Sequence, residues 1–368
     1  MKLKIFCKKL SVVLCGVFLL GIIACSSVPG DKNDPDGTGD VENEISVCLM
    51  VDDTYDFGAM GYTVAEVSGS SVVKTNDVIE AIAEGESSVI LKSANDQLVK
   101  CTVTVYQTAE ELGSKWSFDK GMFFGKKIIV FGDSITGGVG CSRNRNYFAK
   151  ICTYLGASSD PTDIENINFA LSGSCLAYGG INMGGAERVA AEEAFEDDYG
   201  QPVTRNPRPN IIDANLCVIF YGTNDFTLSH PIVAPANSGI TDKPATVQAT
   251  RTVKGGFYFM VNKIRELNPN IKFLLLPPIY RADLYGNPMY EYNEDRSDVK
   301  HAGGIEWLSS ASTAVQNVAE DEGCKFVDWY HIFNYENLAK SKQYSFDRIH
   351  PNDAGHELMF NYLIDNIK

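Results

Sequence analysis

The chain has 368 residues, 44% of them hydrophobic, with 47 acidic side chains against 32 basic ones. The formal net charge of −15 repels nucleic acid and anionic lipid headgroups, and no basic stretch interleaved with aromatic residues offsets it. Binding to nucleic acid is therefore excluded, and the length suggests two domains rather than one.

Residues 1–25 have the layout of a secretory signal. Met1–Lys9 holds four lysines and no acid, and Leu10–Ala24 is an apolar run too short to favour a membrane-spanning helix. Ile22–Cys25 resembles the lipobox of bacterial lipoproteins, in which cleavage precedes a cysteine that is then acylated. We therefore expect a lipid on Cys25 that anchors the protein to a membrane of the cell envelope, facing the periplasm or the surface. An ordinary signal peptide with an incidental cysteine is the alternative.

An all-β region is predicted next along the chain. Residues 26–42 are rich in Ser, Gly, Pro, Asp and Asn, which predicts a flexible linker. Residues 43–107 contain short β-branched runs separated by turn residues, and this spacing predicts a small β-sandwich. The predicted strands are 45–51, 63–67, 72–74, 78–83, 88–92 and 99–106.

Three stretches of this region resemble the bacterial immunoglobulin-like group 2 repeat, namely Thr63–Val67, Ile79–Ile90 and Cys101–Val105. The resemblance implies an immunoglobulin-like spacer or adhesive unit of an exported protein, and we expect a spacer without a ligand. Cys48 and Cys101 both lie in predicted strands, and export permits a disulfide. Whether they form one stays open, because strand pairing is not visible in one sequence.

Residues 108–125 connect to a second region, with one helical turn predicted at Ala109–Leu112 and Trp116 expected to pack on the interface. From residue 126 to 368, short apolar runs alternate with segments of helical periodicity. This alternation predicts a three-layer α/β/α sandwich with a mostly parallel, flavodoxin-like sheet, whose ligands bind beyond the carboxyl ends of the strands. The predicted strands are 127–131, 164–170, 216–221, 271–276 and 325–329, and the helices are 253–267, 305–319 and 357–367.

Polar motifs follow the first three of these strands. Gly132-Asp-Ser134 is expected to turn the chain into a helix, with the Ser134 hydroxyl exposed and its N–H directed at a developing oxyanion. Taken alone, Ser134 could equally be a helix cap. Gly173 follows the second strand and can present its N–H without a side chain in the way. Asn224 follows the third strand, where its amide can donate to an oxyanion, although Asn also favours turns.

A carboxylate and a histidine lie three residues apart near the C-terminus, at Asp347 and His350, just before the last helix. Such a carboxylate can fix the imidazole tautomer and stabilise the imidazolium that forms when the ring takes a proton. Asp328 and His331 are the nearest rival pair. The other three histidines have no comparable carboxylate, and we assign His356 to packing or the surface of the last helix; they are His230, His301 and His356.

Taken in order, Gly-Asp-Ser, Gly, Gly-x-Asn-Asp and Asp-x-x-His-Pro resemble the four blocks of the SGNH hydrolase superfamily, which contains the GDSL-like lipases and acylhydrolases. The resemblance spans residues 126–368 and implies an ester hydrolase without metal or organic cofactor. The implied roles are nucleophile for Ser134, base for His350, orienting carboxylate for Asp347, and an oxyanion hole made by Ser134, Gly173 and Asn224. The first block reads Gly-Asp-Ser-Ile rather than Gly-Asp-Ser-Leu, which removes any presumption of lipase activity.

The substrate is expected to be a small-molecule or oligosaccharide ester. Residues 176–215 and 227–250 are long polar insertions, and no strongly apolar lid stands out. An exported lipoprotein with an open polar rim favours a carbohydrate O-acyl esterase, with a lipid or phospholipid acylhydrolase as the alternative. Two other classes stay open: a metal-dependent phosphoesterase with Asp133, Asp225, Asp347 and His350 as ligands, and a catalytically inactive, surface glycan-binding protein.

Overall fold

The computed structural model describes most of the chain between residues 44 and 367. The described residues are 44–163, 167–177, 185–190, 195–196, 202–203, 207–225, 244, 246, 250, 252–279, 299–330, 332–333, 343–347 and 349–367. The predicted signal sequence, Cys25 and the linker at 26–42 lie outside this set. So do much of the insertion at 176–215 and nearly all of that at 227–250.

The first 63 described residues form two β-sheets. All six predicted strands are present, and a seventh, Thr54–Asp56, was not predicted because it is short and polar. One sheet has the order β1-β7-β6-β3, in which only the β1–β7 pair is parallel, and the other is antiparallel with the order β2-β5-β4. The strands are β1 (Glu44–Met50), β2 (Thr54–Asp56), β3 (Tyr62–Ser68), β4 (Val72–Thr75), β5 (Val78–Ala81), β6 (Gly85–Ser93) and β7 (Leu98–Tyr106).

The β7 strand shows why this region folds as predicted. Its alternate residues Val99, Cys101, Val103 and Val105 are all buried, as the period of two requires for a strand with one face on the core. The considered Cys48–Cys101 disulfide does not form. In the β1–β7 register Cys48 lies opposite Thr104 and Cys101 opposite Ile45, and Cys101 keeps a free thiol.

Five parallel strands form the sheet of the second region, in the order β9-β8-β12-β13-β14, which is the flavodoxin-like order. The prediction of an α/β fold preceded by an all-β region is thus confirmed. Every residue of the three central strands is buried, which explains their continuous apolar sequences. The strands are β8 (Ile128–Gly132), β9 (Asn168–Ala170), β12 (Leu216–Phe220), β13 (Lys272–Leu276) and β14 (Lys325–Phe326), with a small antiparallel pair, β10 (Phe195–Glu196) and β11 (Pro202–Val203), outside the sheet.

The helices form two separate groups, as expected where they cover both faces of such a sheet. The third helix packs with the last one, and the sixth packs with the fourth and the seventh. None of the described residues belongs to a helix long and apolar enough to cross a bilayer. The helices are α1 (Ala109–Leu112), α2 (Lys120–Phe123), α3 (Tyr147–Leu155), α4 (Gly185–Ala190), α5 (Arg208–Ile211), α6 (Val253–Leu267), α7 (Val299–Asp321) and α8 (Asp353–Asn366).

The prediction of a helix directly after Ser134 is wrong. The Gly137 N–H does donate to the Asp133 carbonyl, as in a first helical turn, but a series of turns follows and the first long helix begins at Tyr147. Gly138 and Gly140 have φ angles of +83° and +91°, which a right-handed helix cannot contain. The prediction of a helical turn at Ala109–Leu112 is confirmed, and a Thr108 capping box begins it.

The all-β region contacts the parallel sheet at the amino-terminal end of the strands. Lys272, the first residue of β13, donates to both carboxylate oxygens of Asp53 at 2.7 Å. Lys126, just before β8, donates to the Thr54 carbonyl at 2.8 Å. Trp116 of the connector is buried, and its ring packs edge-on against that of Phe123 in α2. The opposite end of the sheet, where the strands point, stays available for a site.

Candidate active site

Ser134 lies two residues beyond the carboxyl end of β8, a central strand of the sheet. The residue is only 7% exposed. Its carbonyl accepts from the Val139 N–H at 3.0 Å, and the Asp133 carboxylate accepts from the Ile135 N–H at 2.9 Å. These bonds fix the backbone on both sides of Ser134 and hold its side chain at the strand end.

His350 reaches Ser134 from the other end of the chain. Its Nε2 lies 2.8 Å from the Ser134 Oγ, across a sequence separation of 216 residues. The loop that carries His350 is closed on itself, because the Phe346 N–H donates to the His350 carbonyl at 2.8 Å and Ser345 pairs with Pro351. The imidazole therefore comes from a rigid loop rather than from a free tail.

Asp347 holds the far side of the His350 ring. Its Oδ2 lies 2.7 Å from His350 Nδ1, and its Oδ1 accepts from the backbone N–H groups of Ile349 and His350 at 3.0 and 2.8 Å. Partial burial raises the pKa of this carboxyl, but the bonds from His350 and Ile349 outweigh burial and leave the pKa below its usual value. Asp347 is therefore a carboxylate at neutral pH.

An ionised Asp347 assigns the proton positions on His350. A carboxylate can only accept, so the Nδ1 atom carries the hydrogen and Nε2 is left with a lone pair towards Ser134. In that tautomer Nε2 can take the hydroxyl proton of Ser134. The three side chains form one continuous hydrogen-bonded chain.

Gly173 lies in the turn after β9. The Leu171 N–H donates to the Gly132 carbonyl at 2.9 Å, which ties this turn to the end of β8. Gly173 has a φ angle of +79°, in the region that side chains disfavour, so glycine suits the turn.

Asn224 follows β12 by four residues and fastens the same turn from the other side. Its Nδ2 donates to the Ser174 carbonyl at 3.0 Å, which uses one of the two amide hydrogens. The second hydrogen is the one a bound oxyanion could receive. Ser134 and Asn224 thus follow adjacent strands on either side of the point where the strand order reverses, the usual ligand position in such sheets.

Asp225, which the sequence suggested only as a metal ligand, is a positioning residue. Its fully buried carboxylate accepts from the N–H groups of Leu176 and Ala177 at 2.9–3.0 Å. Burial raises its pKa to about 6, against the lowering effect of these backbone bonds. Asn224 and Asp225 together bind the loop after β9 to the end of β12. The sequence signal for this residue is the Asp of the Gly-x-Asn-Asp motif.

The remaining candidates do not join this group. His356 is buried in α8, where its Nδ1 accepts from the Tyr147 N–H at 3.2 Å, which agrees with the expected packing role. Asp328 accepts from the Ser312 hydroxyl and the Tyr330 N–H, and its rival partner His331 lies outside the described residues. Within the described part of the chain, no three His, Cys, Asp or Glu side chains converge as metal ligands would.

The match to a protein family identifies the class of enzyme. The profile of the GDSL-like Lipase/Acylhydrolase family matches residues 130–358, which include Ser134, Gly173, Asn224, Asp347 and His350. The chain belongs to this family. The protein is accordingly a hydrolase of ester bonds, as the SGNH-type motifs predict.

Solved structures similar to the chain are distant in sequence. A protein from Lactobacillus plantarum is 20% identical, covers 66% of this chain and 96% of its own, and has a TM-score of 0.45. A lipase from the goat rumen metagenome is 21% identical, with coverages of 65% and 96% and a TM-score of 0.39. A lipase/acylhydrolase from Enterococcus faecalis is 16% identical, with coverages of 66% and 97% and a TM-score of 0.38. No curated protein sequence matches the chain.

Proposed function

We propose that the protein is an exported serine esterase that removes acyl groups, acetyl above all, from a carbohydrate. The observation that carries the proposal is the hydrogen-bonded chain from Ser134 through His350 to Asp347, with contacts of 2.8 and 2.7 Å. A hydroxyl in contact with a base, and that base in contact with a third orienting group, is the arrangement that nucleophilic catalysis requires.

In the first half of the reaction, His350 Nε2 takes the Ser134 proton as Oγ attacks the ester carbonyl. Asp347 stabilises the imidazolium that results, because its carboxylate already accepts from Nδ1. The protonated Nε2 then gives its proton to the alcohol oxygen, and the bond between that oxygen and the carbonyl carbon breaks. An acyl group is left on Ser134.

The oxyanion of the tetrahedral intermediate needs donors at the strand ends. We assign the N–H groups of Ser134 and Gly173 and the second Nδ2 hydrogen of Asn224 to this role. One such donor typically contributes about 3–4 kcal/mol to transition-state stabilisation. In the second half, His350 takes a proton from water as the water oxygen attacks the acyl carbon. It then returns a proton to Ser134 Oγ as the bond between Oγ and the acyl carbon breaks, which releases the acid.

Carbohydrate is favoured as the alcohol by the composition of the two insertions. Residues 176–215 and 227–250 are polar and rich in glycine and proline, unlike the apolar lids that long acyl chains require. The lipobox-like Ile22–Cys25 and the polar residues after it favour export and a lipid anchor in the cell envelope. An enzyme tethered there meets cell-wall or environmental glycans.

Replacing Ser134 with alanine tests the proposal. We expect Ser134→Ala to lower kcat on acetylated oligosaccharides by about 10³-fold or more, since no other group in the described site can form the acyl-enzyme. Covalent labelling by a serine-directed fluorophosphonate should also disappear. Ser158→Ala, an exposed serine at the opposite end of the sheet, is the matched control and should keep both properties.

The other classes give different results in the same assays. Activity that rises steeply with acyl chain length would indicate a lipid acylhydrolase instead. Loss of activity in chelator without fluorophosphonate labelling would indicate a metal-dependent phosphoesterase. Tight glycan binding without any ester hydrolysis would indicate an inactive binding protein.

A further inference from the structure

The proposed chemistry decides on which side of Ser134 the alcohol half of the ester lies. The protonated Nε2 of His350 must reach the leaving oxygen, while the carbonyl oxygen faces Gly173 and Asn224. The alcohol therefore leaves along the surface beside His350. That surface is formed by the Phe346–His350 loop and by the turns that follow Ser134.

Phe346 is the feature of this surface that the fold does not explain. At 73% exposure it is the most exposed large apolar side chain of the described residues, although it immediately precedes Asp347. Its backbone N–H donates to the His350 carbonyl, so the loop is held without help from the ring. Because this ring lies on a hydrogen-bonded loop only four residues before the reactive His350, it can contact a ligand bound there.

Gly140 links this loop to the turns after Ser134. A Cβ atom at Gly140 would lie 3.0 Å from the Cβ atoms of both His350 and Phe346. The backbone at Gly140 therefore packs against these two side chains. Val139, the preceding residue, is 38% exposed. Phe346 and Val139 thus lie on the two segments that meet at Gly140, and we call these two residues the apolar rim.

A groove opens from Gly140. It is shallow and open to solvent, with a volume of about 520 Å³. Ser142 and Asp353 both line it and are bonded to each other, the Ser142 N–H donating to the Asp353 carboxylate at 2.6 Å. The described residues that line it are Gly140, Cys141, Ser142, Asn352, Asp353 and Ala354.

We propose that the apolar rim and this groove bind the alcohol half of the substrate, and that this half is a sugar ring with Phe346 under one face. The proposal rests on the proposed function. A sugar ring has apolar C–H faces and polar hydroxyl edges, which match an aromatic surface next to hydroxyl, amide and carboxylate groups. A simple alkyl alcohol would form no hydrogen bond with the polar groups of the groove, and a fully polar alcohol would leave Phe346 exposed.

The test varies the alcohol at constant acyl group. Initial rates are measured by acid release for an acetylated xylo-oligosaccharide and for ethyl acetate, with wild type, Phe346→Ala and Phe346→Tyr. For Phe346→Ala we expect kcat/KM to fall about tenfold on the sugar ester, mostly through KM, and to change less than about twofold on ethyl acetate. Phe346→Tyr keeps the ring and should retain the sugar activity.

Phe124→Ala is the matched control, because Phe124 is 52% exposed but precedes β8 at the other end of the sheet. Equal losses on both esters would mean that Phe346 only positions His350, and no loss on either would mean that the ring binds nothing; both overturn the proposal. A loss that grows with acyl chain length would place the acyl chain, or a lipid, on the rim and overturn it as well. Wild type that hydrolyses ethyl acetate but not the sugar ester contradicts the groove assignment, whereas wild type inactive on every ester contradicts the proposed function itself.

Discussion

The two ends of the parallel sheet each carry a carboxylate paired with a basic side chain, and the two pairs differ in exposure rather than in distance. At the carboxyl end, Asp347 Oδ2 lies 2.7 Å from His350 Nδ1, with side-chain exposures of 39% and 17%. At the amino end, Asp53 lies 2.7 Å from Lys272 Nζ, with exposures of 12% and 6%. Contact distance alone therefore cannot tell a reactive pair from a structural one.

The surroundings separate the two pairs. His350 keeps its Nε2 for the hydroxyl of Ser134, so the hydroxyl proton can pass to the imidazole. Lys272 instead donates to both oxygens of Asp53 where the all-β region meets the sheet, so this pair joins the two regions. Neighbouring Lys126 is also withdrawn from solvent, and burial lowers its pKa to about 8. One end of the sheet is built to exchange protons, and the other to hold the all-β region in place.

The largest effect on activity is expected when the Asp347–His350 pair is broken. Asp347→Asn keeps the shape and an acceptor for the backbone N–H groups, but removes the charge that stabilises the imidazolium and fixes the Nδ1 proton. We expect kcat on an acetyl ester to fall by about 10³–10⁴-fold with an unchanged midpoint of thermal unfolding. Asp365→Asn, an exposed carboxylate on α8, is the control. A loss below tenfold would show that His350 does not need this carboxylate.

Breaking the buried pair should have the opposite profile. Asp53→Ala leaves Lys272 buried without its partner, and we expect the free energy of unfolding in urea to fall by about 3–5 kcal/mol. At low temperature, where the protein stays folded, kcat/KM should match wild type. A drop in kcat/KM without a loss of stability would contradict the division between the two ends.

Two further variants refine that result. Removing both charges in Asp53→Ala/Lys272→Met should restore much of the stability, because no buried charge is then unpaired. Glu44→Ala removes one partner of an exposed pair with Lys100, and should cost at most about 1 kcal/mol.

The same contrast shows which features a sequence can reveal. Strands such as Ile128–Gly132 are continuous apolar runs buried on both faces, and the motifs after them fall at strand ends because parallel topology puts them there. Ser134, Asp347 and His350 could be selected in this way. The contact of Lys272 with Asp53 spans 219 residues and has no local pattern, so it could not.

Predictions from the local sequence were wrong where the backbone conformation determined the structure. The turns after Ser134 replaced an expected helix because Gly138 and Gly140 adopt positive φ angles, and those turns now border His350. Helix α3 was not predicted, although its buried residues recur at helical spacing, at Tyr147, Phe148, Ile151, Cys152 and Leu155. The Gly-x-Asn-Asp motif marks Asp225, but the backbone N–H groups that its carboxylate binds come from another loop and could not be identified from the motif.

His356 offers a third, smaller test, because it is a fully buried base six residues after the half-buried, reactive His350. Its Nδ1 accepts from the Tyr147 N–H, and burial lowers its pKa to about 3, despite the opposing charge of Asp353 and with the help of Lys150 and His350. The unfolded chain binds a proton at this residue below pH 6.5 and the folded protein does not. Stability from this residue is therefore present above pH 6.5 and is lost as the pH falls towards 3.

Between pH 7 and pH 5 this residue alone should lower the free energy of unfolding by about 2 kcal/mol. His356→Asn keeps an acceptor for Tyr147 but cannot titrate, so its stability should be lower at pH 7 yet decline less on acidification. Urea unfolding of both proteins at the two pH values measures the difference, in which the contributions of Asp225 and the other titrating groups cancel. An equal decline in the free energy of unfolding of both proteins would mean that His356 is protonated in the folded protein. That would require a charge partner or water beside α8. It would also remove the distinction between a buried neutral base and the reactive His350.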